Sequence, residues 1–472
     1  MKPSKPVRKM SRKKEKRLTR TNPFNKQFQE VFIMVKVFLS IAILSEIALL
    51  VYCFVKKNRS LLEARILCLA QAAAIALYYL LSPHSMMFQW FMLLVLMVIF
   101  ILFGTFGLIK YLRKKDDAPF KKGKVIGRAV LKSFMWLFAI VPLLIFPPYK
   151  DLTTTGSYTE IGRKVYTWTD ESRVETLDDS GSKRNVTVTF YYPEEATEKC
   201  PLVIFSHGAF GFEKSNYSSY AELVSNGYIV ASISHTYHAF FTQETDGTTK
   251  IVNTDFIKEA VDATNGEYAI EDEYQLTKKW MEVRMGDANF ILDTIIKNCK
   301  DGDDEFFQKI DLEHIGAYGH SMGGATAVEL GRTREEIDAV VVLDGTFLGM
   351  YTGVENGVYT FNQDEYQKPL LNMIAMDHYD NSVKYSEEDG HVYVNMYTVE
   401  HAKIGKNVVI EGTGHMNFTD LPVFSPTLAG MLGTGDRDAR EAIEITNNCV
   451  REWFDCYLKN DGNYIPRIQD IY

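Results

Sequence analysis

The sequence predicts an α/β chain, a mostly parallel sheet flanked by helices, preceded by an all-helical region of about four membrane spans. Three observations predict it. Long apolar stretches recur through residues 31–148 and stop there. Beyond them, short β-branched runs alternate with helix-length amphipathic stretches, the rhythm of parallel strands joined by crossover helices. A glycine-rich hexapeptide at 319–324 then stands between one such run and a helix-compatible one. The bulk figures, 46% hydrophobic residues and net charge −8, look like those of an ordinary soluble enzyme. They mislead because they average three unlike segments: a basic tail (1–30), an apolar region (31–148) and an acidic, mixed remainder (149–472).

The apolar stretches are residues 37–55, 61–81, 87–109 and 129–146. Each is long enough, or nearly so, to cross about 30 Å of hydrocarbon at about 1.5 Å per residue. A cleavable secretory leader does not fit, because the apolar material recurs and no small-residue cleavage site follows the first stretch. Glu46 and Lys132 fall inside the first and fourth stretches. An ionisable group at such depth either has a functional role or faces a neighbouring helix or the interface.

Loop charges set the expected orientation. The first loop carries Lys56, Lys57 and Arg59, and the third carries Lys110, Arg113, Lys114, Lys115, Lys121, Lys122 and Lys124. The second, around 83–85, carries no basic residue. Positive loops face the cytoplasm, which places the C-terminal domain outside a cell membrane. The basic run from Lys2 to Arg20 argues the other way. Much of it lies beyond the window of about 15–20 residues in which charge counts most, so the external placement is favoured.

Pro147 and Pro148 end the fourth stretch. Strands are expected at 186–192, 202–206, 228–234, 315–318, 339–343, 370–375 and 407–410, with helices at 216–226, 279–297, 325–330 and 438–458. Residues 239–278 separate a strand from its crossover helix by more than a compact connection needs, which predicts a cap or lid. The apolar run 421–435 reads either as the lining of an acyl site or bilayer contact, or as an ordinary packed loop. Six cysteines without a C-x-x-C pair are too few for a disulfide scaffold; buried free thiols are expected for most, with one disulfide among Cys200, Cys299, Cys449 and Cys456 left open.

Gly319-His320-Ser321-Met322-Gly323-Gly324 fits G-x-S-x-G directly after a predicted strand and before a predicted helix. That context is the sharp turn on which an α/β-hydrolase presents its nucleophile, and it needs small neighbours. Ser321 is therefore the expected nucleophile. A serine needs a base oriented by an acid, and in this fold the chain order is Ser, acid, His. Of the ten histidines, His415 alone follows the last predicted strand, on the turn Gly412-Thr413-Gly414. Asp344 ends one strand, while Asp377 and Asp380 follow another; either strand end can reach the histidine, and the pattern does not choose. Oxyanion donors are expected at the backbone N–H of Met322 and, from the loop Ser206-His207-Gly208-Ala209-Phe210-Gly211, at that of Ala209. His207 then reads as structural. His235 and His238 have two-residue spacing but no third ligand cluster nearby.

From about Gly156 to Leu458 the chain resembles the platelet-activating factor acetylhydrolase (isoform II, plasma-type) branch of α/β-hydrolases, and bacterial members with N-terminal membrane spans in particular. The segments that carry the likeness are FSHGAFG (205–211), GHSMGG (319–324), VVLDG (341–345) and GHMNFTD (414–420), with the strand introduced by Lys368-Pro369. GHSMGG also fits cutinase-like and dienelactone-hydrolase-like esterases. The resemblance implies that the acid is Asp344, 23 residues beyond Ser321. It also implies family roles for Ser321, His415 and the Ala209 and Met322 amides, and an ester of short or oxidised acyl chains as substrate. The extra spans, the 239–278 insertion and the 345–368 loop depart from the pattern. The expectation is thus a membrane-anchored serine esterase of lipid or lipophilic ester, using no metal or organic cofactor, nucleic acid or obligate protein partner. The rival from another class is a membrane sensor using the fold for binding, which a missing triad member would favour.

Overall fold

The computed structural model describes residues 23–82, 88–114, 119–389, 392–460, 462 and 466–472. Most of the basic tail, the 83–85 loop and Lys115 lie outside those residues. The chain begins with four helices, α1 (Pro23–Lys56), α2 (Leu61–Leu81), α3 (Phe88–Lys114) and α4 (Lys122–Ile145). All four are long and apolar enough to cross a membrane. Their outer faces expose Ile41, Leu44, Phe91, Phe103 and Phe134, while Trp90, Phe100 and Trp136 fill the interior. Helices apolar on every side suit lipid better than water. Gly104 and Gly107 let α3 pack closely against Leu69 and Arg65 of α2.

Glu46 and Lys132 meet inside this bundle. Lys132 pairs with the Glu46 carboxylate and donates to Gln71 Oε1 at 3.2 Å, while Gln71 Nε2 donates to Glu46 Oε1 at 2.9 Å. One ion pair and one amide thereby join α1, α2 and α4, which settles the partner question in favour of helix-to-helix pairing. Between α1 and α2, Asn58 forms an isolated bridge with Pro119, which precedes α4.

The remainder is built on strands β1 (Ile161–Val174), β2 (Lys183–Pro193) and β3 (Cys200–Ser206), then α5 (Tyr217–Ser225), β4 (Ile229–Ser234) and a small hairpin, β5 (Phe241–Gln243) with β6 (Thr249–Ile251). Helices α6 (Thr254–Thr264) and α7 (Ile270–Asp301) lead to β7 (Ile310–His320), α8 (Met322–Thr333) and β8 (Ala339–Leu343). A second hairpin, β9 (Tyr351–Glu355) with β10 (Val358–Phe361), precedes β11 (Leu370–Ala375), α9 (Met376–Asp389), α10 (Val394–Glu400) and β12 (Gly405–Ile410). Two short helices, α11 (Leu421–Phe424) and α12 (Pro426–Leu432), and the long α13 (Ala439–Phe454) complete it.

Eight strands form one sheet in the order β1-β2-β4-β3-β7-β8-β11-β12. The first two pairings are antiparallel and the rest parallel. Strands such as β3, β4, β8 and β11 are buried along their whole length, so they read as continuous apolar runs rather than alternations. Helices cover both faces: Ile291, Leu292 and Ile295 of α7 pack into one core, Val450, Trp453 and Phe454 of α13 into the other. Each such side chain contributes roughly 1.5–3 kcal/mol by leaving water. The parallel strands end on one edge, where ligands of open α/β sheets bind. No disulfide joins the cysteines among the described residues.

The structure departs from the sequence reading in several places, among them α9 to α12, which match no expected helix. The fourteen-residue β1 was not read as a strand, because its residues are mostly half-exposed and many are charged. The crossover helix α7 begins at Ile270, so the segment after β4 is shorter than 239–278 and holds a hairpin and α6. The 345–368 loop contains the β9–β10 hairpin.

Candidate active site

β7 delivers His320 to the sheet edge, and the chain turns at once into α8, leaving Ser321 between them at φ 55° and ψ −125°. A serine rarely adopts such angles, which cost of order 1–3 kcal/mol and persist only where the surroundings enforce them. The glycines explain how. A Cβ on Gly319 would lie 2.3 Å from the Gly323 backbone, and one on Gly323 would lie 1.9 Å from Ser206 O. Only bare backbone fits where the turn crosses the end of β3.

The register of β7 against β8 pairs His320 with Leu343, so the residues that follow, Ser321 and Asp344, emerge side by side. Asp344 is also held at positive φ, 49°. Its Oδ1 accepts from Ala375 N–H at 2.8 Å, and its Oδ2 accepts from His415 Nδ1 at 2.6 Å. Burial acts to raise the Asp344 pKa, but hydrogen bonds from His378 and His415 outweigh it and hold the carboxyl well below the usual range. His415 follows β12 on a loop pinned by Asn417, whose Oδ1 accepts from Gly414 and Gly435 N–H at 2.9 Å each. His320 donates from Nε2 to His415 O at 3.1 Å. Burial pushes the His320 pKa down to about 3, so this ring is a neutral brace.

With Nδ1–H committed to Asp344, His415 keeps the Nε2 lone pair. His415 and Ser321 line the same cavity, of about 440 Å³. No hydrogen bond joins the two side chains among the described residues; in unliganded sites such bonds are often long and tighten only with substrate.

The loop after β3 passes beside the nucleophile: a Cβ on Gly208 would lie 3.1 Å from Ser321 Cβ. Ala209 follows, and its amide has no backbone acceptor among the described residues, whereas the next two do: Phe210 N–H donates to His238 O and Gly211 N–H to Gly208 O. Met322 is the first residue of α8, where an amide has no acceptor within its own helix. These are the two amides expected for an oxyanion.

Apolar side chains complete the cavity. Val261 comes from α6, Leu421 and Phe424 from α11, and Leu432 from α12. The segments 239–278 and 421–435 therefore both contribute walls. Met431 and Leu432 are exposed at the rim. The same rim touches the end of α4: Ser425 Oγ donates to Ile145 O at 2.7 Å, and the rings of Phe424 and Phe146 stack with centroids 6.4 Å apart.

Asp377 and Asp380 sit on α9, and Asp377 Oδ1 accepts from His378 N–H; Asp344 alone of the three holds His415. No local pattern points to His378, whose Nδ1 lies 2.8 Å from Asp344 Oδ2. Its aspartate is distant in the chain, and a histidine on a polar helix attracts no notice. Asp344, His378 and His415 bring three metal-capable atoms within 4.8 Å of one another, an arrangement already explained by hydrogen bonds to the carboxylate. His235 donates from Nδ1 to Asp287 and accepts from Ser206 Oγ, and His238 accepts from Arg284.

The family model for platelet-activating factor acetylhydrolase, isoform II, matches residues 181–464. The dog platelet-activating factor acetylhydrolase is 26% identical over 275 residues, covering 54% of this chain and 56% of that protein. The cattle protein of the same name is 24% identical over 276 residues, covering 53% and 55%, and the chicken protein 26% over 271, covering 53% and 60%. The chain thus spans little more than half the length of these relatives. Among solved structures, a ferulic acid esterase from Streptomyces cinnamoneus aligns over 66% of this chain and 92% of its own at 22% identity, with a TM-score of 0.48. With a match that covers more than half of its length, this chain belongs to the platelet-activating factor acetylhydrolase, isoform II, family.

Proposed function

We propose that the protein is a membrane-anchored serine hydrolase that cleaves carboxylic esters of lipid-like alcohols through an acyl-enzyme. One observation carries the reading: a strained serine at the mouth of a partly apolar cavity shares its wall with a histidine whose Nδ1 is fixed by a buried carboxylate. His415 takes the Ser321 proton at Nε2 as Oγ attacks the ester carbonyl. Asp344 holds the ring in the one tautomer that permits this and stabilises the imidazolium. The Ala209 and Met322 amides receive the oxyanion. His415 then passes its proton to the departing alkoxide, and water repeats the sequence to release the acid.

The relatives are named for removing an acetyl group from platelet-activating factor. Together with the modest cavity, this favours a short acyl chain and a lipophilic alcohol part. Rim residues Met431 and Leu432, exposed next to the end of α4, favour substrate drawn from a bilayer surface. Basic first and third loops on one side of the bundle favour the catalytic domain on the opposite, external side. Protease accessibility in intact cells tests that placement.

The test of the chemistry is Ser321→Ala in the full-length protein. Turnover of p-nitrophenyl acetate and labelling by a fluorophosphonate probe both disappear. Labelling that persists at the wild-type level removes the nucleophile assignment.

A further inference from the structure

Arg284, on α7, is fully buried beneath the loop after β3. Its guanidinium donates to His207 O at 2.5 Å, to Gly208 O at 3.2 Å and to Ser206 Oγ at 3.4 Å, and its Nε donates to His238 Nδ1 at 3.2 Å. The nearby acid, Asp287, is engaged by Arg184, Arg173 and His235, and no carboxylate pairs with Arg284 among the described residues. A buried cation without its own counter-ion is costly, and this one is spent on the carbonyls of one short loop.

The second carbonyl matters most. Gly208 O receives both Arg284 and the His207 ring, whose Nδ1 lies at 2.7 Å and must be the donor because a carbonyl cannot be. His207 Nε2 accepts from His235 N–H at 3.2 Å, which fixes the same tautomer. Burial, reinforced by the Arg284 charge, lowers the His207 pKa well below that of free imidazole, so the ring is neutral. Gly208 C=O and Ala209 N–H belong to one planar trans peptide, in which they point in opposite directions. With Gly211 N–H at 3.2 Å, three donors on the carbonyl side therefore turn the amide side toward the cavity that holds Ser321.

We propose that Arg284, assisted by His207, is a positioning residue that orients and polarises the Gly208–Ala209 peptide so that its N–H is a strong oxyanion donor. Hydrogen bonds in a chain strengthen one another in a low-dielectric interior, and here the chain ends at the reacting centre. Without the guanidinium the carbonyl keeps only the His207 ring and Gly211 N–H as donors, so the peptide is held and polarised less firmly and its N–H is a poorer, less well-aimed donor to the oxyanion. This inference rests on Ser321 being the nucleophile.

The experiment compares full-length Arg284→Met and Arg284→Lys with wild type in detergent micelles. The readouts are kcat and KM on p-nitrophenyl acetate, Ki for an alkyl trifluoromethyl ketone, and thermal unfolding. The ketone is attacked by the serine to give a stable tetrahedral oxyanion. Loss of a whole oxyanion donor costs about 100–1000-fold in kcat, so loss of its orientation is expected to cost roughly 10–100-fold in Arg284→Met. KM stays within about twofold, and Ki weakens in step with kcat/KM because both report on the oxyanion. Arg284→Lys, which keeps the charge and one donor, recovers part of both. A folded Arg284→Met with wild-type kcat, or one whose kcat falls while Ki is unchanged, overturns the proposal. Should Arg284→Met fail to fold, Arg284→Lys decides in the same way: proportional weakening of kcat and Ki supports the proposal, and wild-type values for both overturn it. Failure of the underlying reading looks different, since Ser321→Ala would then remain active and labelled.

Discussion

Replacing Gly323 by alanine is the most direct test of how the serine turn is enforced. The added Cβ would lie 1.9 Å from Ser206 O, 2.4 Å from Ser206 C and 2.8 Å from His207 O. Ordinary contacts begin above 3 Å, so the end of β3 and the start of α8 must separate by roughly 1 Å. Both are backbone, and neither can rotate aside as a side chain would. Overpacking of this kind costs about 1–3 kcal/mol in stability. The larger effect is on catalysis, because the displaced carbonyls belong to the loop carrying the Ala209 amide. A misplacement of about 1 Å can cost 100-fold in rate, or about 2.7 kcal/mol in the barrier. The assay is kcat/KM on p-nitrophenyl acetate for full-length protein, with thermal unfolding followed by circular dichroism. Gly430→Ala is the control, since that position on α12 has nothing within 4 Å of a new Cβ; it should be neutral or slightly stabilising. If Gly323→Ala keeps kcat/KM within threefold of wild type, close backbone approach is not what shapes this site.

Three further outcomes are expected. Asp344→Asn leaves KM nearly unchanged but lowers kcat by about 10⁴-fold, because the amide permits the wrong His415 tautomer; a loss under tenfold refutes the assignment. His378 has a raised pKa because it hydrogen-bonds Asp344, against the opposing effect of burial. The stability this pair contributes is fully present below about pH 6.5, the unperturbed value, and fades as pH rises through the raised one. Melting temperature measured across that window falls less in His378→Gln than in wild type, and equal slopes count against the coupling. In the bundle, Lys132→Met strands the Glu46 carboxylate and costs about 3–5 kcal/mol, whereas Glu46→Leu with Lys132→Met restores most of it. Detergent-denaturant titration of the full-length protein measures both, and a double variant no better than the single refutes the pairing.

Much of this arrangement was legible in the sequence, for identifiable reasons. Strands buried on both faces, such as β3 and β8, are unbroken apolar runs. Ser321 carries its glycines with it, and His415 stands where chain order puts it. Asp344 could not be chosen over Asp377 and Asp380 from local pattern, because the choice depends on which strand ends beside His415. The family resemblance supplied that preference. β1 escaped notice as a charged, half-exposed outer strand, and β5 and β6 are too short, at three residues each, to show a period. His378 and Arg284 were invisible for a common reason. Each acts on residues more than thirty positions away, and nothing in its own neighbourhood marks it.

The junction between α4 and the catalytic domain has one more consequence. Besides the Ser425 and Phe424 contacts, Gln89 donates to Pro147 O at 3.4 Å, Arg440 reaches Lys150 O, and Thr155 N–H donates to Glu222 at 2.9 Å. A connection fastened at so many points is a bracket rather than a tether. The domain is thus denied the free tumbling that a flexible linker would allow. With α4 in a bilayer, the rim holds a constant bearing toward the lipid, and its search for substrate becomes one of lateral travel in two dimensions.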